Sequence, residues 1–164
     1  MNAEQAKTLN EVIAQQLQGE WMTTYKVISA IPEAGRNYKP DPKSRTAWEI
    51  AKHLAWADVW FLQSVLDLKF SLPPVDPPAN TVAELADWYK HEFPKHLERV
   101  LALDGAHLAT IMELFGMKWP AAQYVLICCT HMAHHRGQLA AYLRAAGGKV
   151  PAIYGSSADS GKGE

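Results

Sequence analysis

Helix-compatible sequence runs from Pro120 to Ala146, and its side chains are apolar almost all the way round. No helix breaker occurs before Gly137, and Gly147-Gly148 is the kind of pair that closes a helix in the left-handed conformation. Val125, Leu126, Met132, Ala133, Ala140 and Leu143 point one way, and Tyr124, Ile127, Cys128, Leu139 and Tyr142 point another. A helix with so little polar surface has to be covered on most of its sides. The rest of the chain must therefore provide other long helices to pack around it.

Three such segments precede it, and little in the chain alternates with a period of two. The first runs from about Ala3 to Ile31, with Leu9, Val12, Ile13, Gln16, Glu20, Thr24, Ile28 and Ile31 near helical spacing, and is closed by Pro32 and Gly35. The second opens at Thr46, whose hydroxyl can cap the first turn while Glu49 reciprocates, and reaches about Lys69. The third begins with the same Thr-x-x-Glu signal at Thr81 and Glu84 and continues to about Leu103, with a kink or interruption expected at Pro94. Between the second and third, the prolines of the loop from Leu72 to Pro78 exclude regular structure. Asp104 to Lys118 reads equally well as a short helix or an extended connection. The sum is an all-α chain, a four-helix bundle with long inter-helix connections. Residues 1–155 form one domain, and a Ser-, Gly- and charge-rich tail at 156–164 is expected to be disordered.

At 164 residues and a net charge of −1, the chain suits one core and carries no basic stripe for nucleic acid. It has no uninterrupted apolar run of about 18 residues to cross a membrane. The first residues, Met1 to Gln5, lack the apolar stretch of a secretory signal. Cys128 and Cys129 are helical neighbours pointing about 100° apart, a poor geometry for a bridge. Free thiols without a signal argue for a cytoplasmic location. The apolar surplus of the last helix, and the face of the first with Trp21 and Tyr25, suggest a homodimer.

The same last helix carries His131, His134 and His135. His131 and His135 are i and i+4, stacked one turn apart on one face, which lets two imidazoles reach one metal ion. At about 100° per residue, that face also carries Tyr124, Ile127, Cys128, Gln138, Leu139 and Tyr142, whereas Arg136 and Arg144 point well away. A His pair on a solvated face would mean little. A pair on an apolar face needs partners, and a shared metal is one. His53, in the second helix, is a third candidate ligand, and three nitrogens would leave coordination positions open as catalytic sites require.

The run His131-Met132-Ala133-His134-His135-Arg136-Gly137-Gln138-Leu139, followed by Leu143-Arg144 and Gly147 through Gly155, resembles the DinB-like superfamily of metal-binding four-helix bundles. Trp21 and Pro32 near the end of the first helix, and Ala51-Lys52-His53-Leu54 in the second, extend the resemblance over nearly the whole chain. It implies a facial triad of His53, His131 and His135 holding one divalent ion per chain, zinc or nickel, with His134 outside it as a core or supporting residue. Some members of that superfamily transfer low-molecular-weight thiols such as bacillithiol or mycothiol to electrophiles, which makes such a thiol a candidate cosubstrate.

Around His53, Glu49 either orients an imidazole or acts as a base through water, or else simply completes the helix cap. Trp56 and Trp60 either wall a pocket for a small-molecule substrate or belong to the core. Gln138 shares the histidine face and can hydrogen bond a ligand ring. The reading is a metal-dependent enzyme that activates a thiol or water for attack on a small electrophile, a thiol transferase or a hydrolase. Its activity should fail as pH drops through the ordinary histidine range near about 6.5. The alternative is a bundle in which the ion is purely structural.

Overall fold

The computed structural model describes residues 1–71 and 77–161. Helix α1 spans Ala3–Ser29, α2 Ala47–Asp67, α3 Val82–Leu101 and α4 Gly105–Ala109. Strands β1 (Ile111–Leu114) and β2 (Met117–Pro120) follow, and α5 spans Ala121–Leu143. Most of the proline-rich loop expected after α2 lies outside the described residues, as do positions 162–164.

Local chemistry sets the helix ends. Asn2 caps α1 by accepting from the Gln5 amide, and the Gln5 side chain accepts from Asn2 in return. Thr46 and Glu49 form the full reciprocal box at the start of α2. At α3 only half of it forms. Thr81 accepts from the Glu84 amide, but the Glu84 carboxylate takes the Asn80 amide instead. The interruption expected at Pro94 does not occur, and α3 continues through it. Its apolar side is held by buried Leu85, Tyr89, Phe93 and Leu97, so packing outweighs the lost hydrogen bond.

The segment that read two ways proves to be both. Asp104 caps the five-residue helix α4, and the next residues turn back as an antiparallel hairpin with Ile111 opposite Pro120 and Leu114 opposite Met117. Its turn places Phe115 and Gly116 at positive φ, which short-range periodicity does not reveal. At the other end of α5, Gly147 adopts φ 87° and the Gly148 amide bonds back to the Leu143 carbonyl, the glycine-dependent closure foreseen there.

The long helices form a ring in which α5 lies between α1 and α2, and α3 lies between the same two on the far side. Leu17, Ile28, Ile50, Leu54, Leu85, Tyr124 and Met132 fill the centre. Enclosed between two helices, α5 buries Tyr124, Val125, Cys128, Met132, Leu139 and Leu143, while Leu126, Ile127 and Ala140 stay partly exposed. No described helix is long and apolar enough to cross a membrane.

Arg136 does point away from the histidines, as the helical wheel requires, but into the protein rather than into water. Its side chain is 1% exposed and pairs with Glu20 of α1 at 2.6 Å. Its other nitrogen donates to the Glu20 carbonyl and to Thr24. Tyr154 completes the group, bonded to both Arg136 and Glu20, and so ties the stretch after α5 to α1. Beyond it, Asp159 accepts from Arg144 and from the Val150 amide at 2.9 Å each, so the segment expected to be a loose tail folds back as far as Gly161.

Removing one partner of a buried ion pair leaves the other charge uncompensated. Arg136→Met should therefore cost about 3–5 kcal/mol of unfolding free energy. Urea denaturation of the metal-free protein measures this, and a loss below about 1 kcal/mol would show that the pair behaves like one at the surface.

Candidate metal centre

The capping box places the first turn of α2, and His53 follows two turns later on the side that faces α5. On α5, His131 and His135 project one turn apart toward it. One ring nitrogen from each of the three imidazoles lies within 4.8 Å of the other two. The His131 and His53 Nε2 atoms are 3.2 Å apart, hydrogen-bond distance if either carries a proton. Modest movement of the rings would bring all three within the about 2.0–2.1 Å of a metal–imidazole bond from one centre. Among the described residues, no cysteine or carboxylate joins them as a fourth ligand.

All three rings are half-buried, and the consequences for protonation agree. Burial first, then the charges of His131 and His135 and of Arg45, lower the pKa of His53 to about 4. Burial, His134 and Arg45 bring His131 to about 4. His135 is also lowered to about 4 by burial and its histidine neighbours, although Gln138 pulls it the other way. Near neutral pH these are uncharged nitrogen donors, the form a metal requires. The metal-free ligands therefore protonate well below the value near 6.5 of a solvated imidazole.

Gln138 is at the site. Its Oε1 lies 3.2 Å from Nδ1 of His135, which commits that nitrogen and leaves Nε2 for the metal. Trp56 stands beside His53, ring centroids 6.1 Å apart, and stacks on Trp60 at 5.2 Å. Trp60 is held by its indole N–H donating to the Ser71 carbonyl at 2.9 Å, and both indoles are half-buried. Phe61 packs against His131 with the ring planes tilted, centroids 5.6 Å apart.

Two other candidates are placed elsewhere. Glu49 is exposed, and its Oε2 accepts from the Thr46 amide at 2.7 Å and from the Thr46 hydroxyl at 2.9 Å. These bonds hold its pKa below the usual range and give it the capping role. His134 is exposed rather than core, its ring against that of His135 at 4.7 Å.

Sequence reasoning missed Asp58. It is fully buried on α2, with Oδ1 lying 3.6 Å from Nδ1 of His131 and Oδ2 accepting from the Tyr89 hydroxyl at 3.0 Å. Burial pushes its pKa well up, against the opposing pull of Tyr89 and Arg136. The signal was a lone acidic residue inside the apolar run from Leu54 to Leu62. Buried acids of that kind need partners.

A ring of four long helices with three imidazoles converging between two of them defines a helix bundle whose histidine cluster could hold a metal ion. The model of the DinB family matches residues 5–162, and the chain belongs to that family. It is 28% identical over 134 residues to the uncharacterized protein YrdA of Bacillus subtilis strain 168, covering 80% of each chain. It superposes on the crystal structure of a DinB-like protein from Bacillus cereus with a TM-score of 0.73 and 26% identity, covering 88% of this chain and 97% of that one. A DinB-like protein of Bacillus subtilis, YjoA, gives the same score at 20% identity over 88% of this chain and 99% of its own, which speaks to the fold alone.

The depressed pKa values have a definite sign. In the unfolded chain the histidines take up protons near pH 6.5, whereas in the folded chain they do so only near 4. The metal-free protein should therefore lose stability as pH falls from about 6.5 toward 4, with the full contribution present above that window. NMR titration of the metal-free protein should show three imidazoles with midpoints near 4; midpoints near the solvated value would contradict the burial described.

Proposed function

We propose that this DinB-family protein is a metal-dependent enzyme in which His53, His131 and His135 hold one divalent ion, zinc or nickel. The reaction would be attack of a thiol or water on a small electrophile. The observation that carries this is the donor set, three half-buried neutral imidazoles from two helices without a fourth protein ligand among the described residues. A structural site is normally closed by four protein ligands, whereas a catalytic one keeps positions for water or substrate. The chemistry a divalent ion supplies in such a site is to bring the pKa of a bound thiol or water toward neutrality.

The chain's own residues account for the rest. Gln138 fixes the ring of His135, and burial keeps protons off all three ligands near neutral pH. Trp56 and Trp60 offer a stacked apolar wall beside His53 for the electrophile, and His134 stands outside the ligand set at the surface. A low-molecular-weight thiol is the cosubstrate this reading favours, in the reducing cytoplasm where Cys128 and Cys129 also stay free. Glu49 has no part in it, because its carboxylate is committed to Thr46.

Natively purified protein should contain close to one equivalent of zinc or nickel by elemental analysis. His53→Ala, His131→Ala and His135→Ala should each lose the metal, whereas His134→Ala should keep it. Metal-loaded protein incubated with cellular thiols and a chlorinated dinitrobenzene should form the thioether faster than free metal does, and His131→Ala should not. If the metal is bound but no thiol or water reaction exceeds that of the free ion, the site is structural and the enzymatic reading falls.

A further inference from the structure

Two buried polar atoms beside the centre lack a partner, Oδ1 of Asp58 and Nδ1 of His131, and they face each other across 3.6 Å. Buried polar atoms are rarely left so. The pair is just beyond hydrogen-bond length, and a small ring rotation closes it. We infer that Asp58 is the positioning residue for His131, its Oδ1 accepting the Nδ1 proton so that Nε2 keeps its lone pair for the metal. This rests on the metal-binding reading above.

The direction of that hydrogen bond follows from the groups behind it. Tyr89 of α3 donates its hydroxyl to Oδ2 of Asp58. With Tyr89 occupying Oδ2 as a donor, the ionised Asp58 carboxylate keeps Oδ1 to accept, whereas a protonated one would donate from Oδ1 and give His131 the opposite tautomer. On its other side, His131 Nε2 is 3.2 Å from His53 Nε2, where a proton would block a shared metal. His135 has the matching arrangement, with Nδ1 against Gln138 Oε1. Both ligands of α5 thus have an acceptor behind the ring, and for His131 the acceptor is itself held by Tyr89 of α3. Such supporting partners fix the tautomer and orientation of a ligating imidazole.

Long-range nitrogen NMR of the metal-free protein at neutral pH reads the tautomer directly. His131 should carry its proton on Nδ1 in the wild type. Asp58→Asn, which can present an amide N–H, should shift it toward Nε2, and Asp58→Ala should leave a mixture. Chelator competition should show zinc affinity lower by roughly 10- to 100-fold in both variants, with helical circular dichroism retained. Tyr89→Phe removes only the donor to Oδ2; it should move the His131 nitrogen shifts and lower affinity by a smaller factor, and it carries the test should the Asp58 variants fail to fold. Unchanged His131 nitrogen shifts and affinity within about twofold of wild type in the folded variants would overturn the assignment. If the wild type takes up no metal, the functional reading fails, while the tautomer of His131 in the same spectra still decides the role of Asp58.

Discussion

The enclosure of α5 between α1 and α2 is the arrangement on which the rest depends. A helix in that position has two inward faces, and this one carries polar groups on both. Toward α2 it presents His131 and His135; toward α1 it presents Arg136. Neither set tolerates burial without partners. The α2 side answers with His53 and Asp58, and the α1 side with Glu20 and Thr24. The sequence of α5 can be read as a set of demands that only two particular neighbours satisfy, which helps specify the order of helices around the bundle.

Burial also sets the chemical character of the site. Three imidazoles in water would compete with protons for a metal through the ordinary histidine range. Half-buried and crowded together, they shed protons to about 4, so the ligand set is ready near neutral pH. The Nε2 atoms of His131 and His53 lie 3.2 Å apart, so a shared metal requires that neither carry a proton there. A bound cation would bridge them, and binding would then add to folding free energy. The Arg136–Glu20 pair sits on the opposite side of α5 and ties that helix to α1.

Several features were legible in the chain itself. The Thr46–Glu49 box located the start of α2, and the i, i+4 spacing of His131 and His135 put them on one face. Gly147 marked the closure of α5. These depend on neighbours within one or two turns, where spacing determines geometry. The hairpin at β1 and β2 was not legible, since four-residue strands give too short a pattern to distinguish from a helix turn. At Pro94 the interruption failed to appear for the opposite reason. Its local penalty is real, but the buried face of α3 carries more free energy than one hydrogen bond.

Asp58 and Arg136 show where the division falls. In the sequence, Arg136 differs little from an exposed cation on the polar edge of a helix, and Asp58 is one acid among apolar residues. What makes the first a core residue is Glu20, 116 positions earlier in the chain, and what makes the second a neighbour of the metal centre is His131 on another helix. Glu49 was the reverse case, a carboxylate near the histidines in sequence whose nearest donor proved to be its own cap. The chain by itself determined which segments are helical, which face bears the imidazoles and which family the motif belongs to, because these follow from local spacing and residue type. Only the tertiary structure decided that His53 meets His131, that Asp58 stands behind it, and that all three ligands are neutral, because each depends on how far water is excluded between helices distant in sequence.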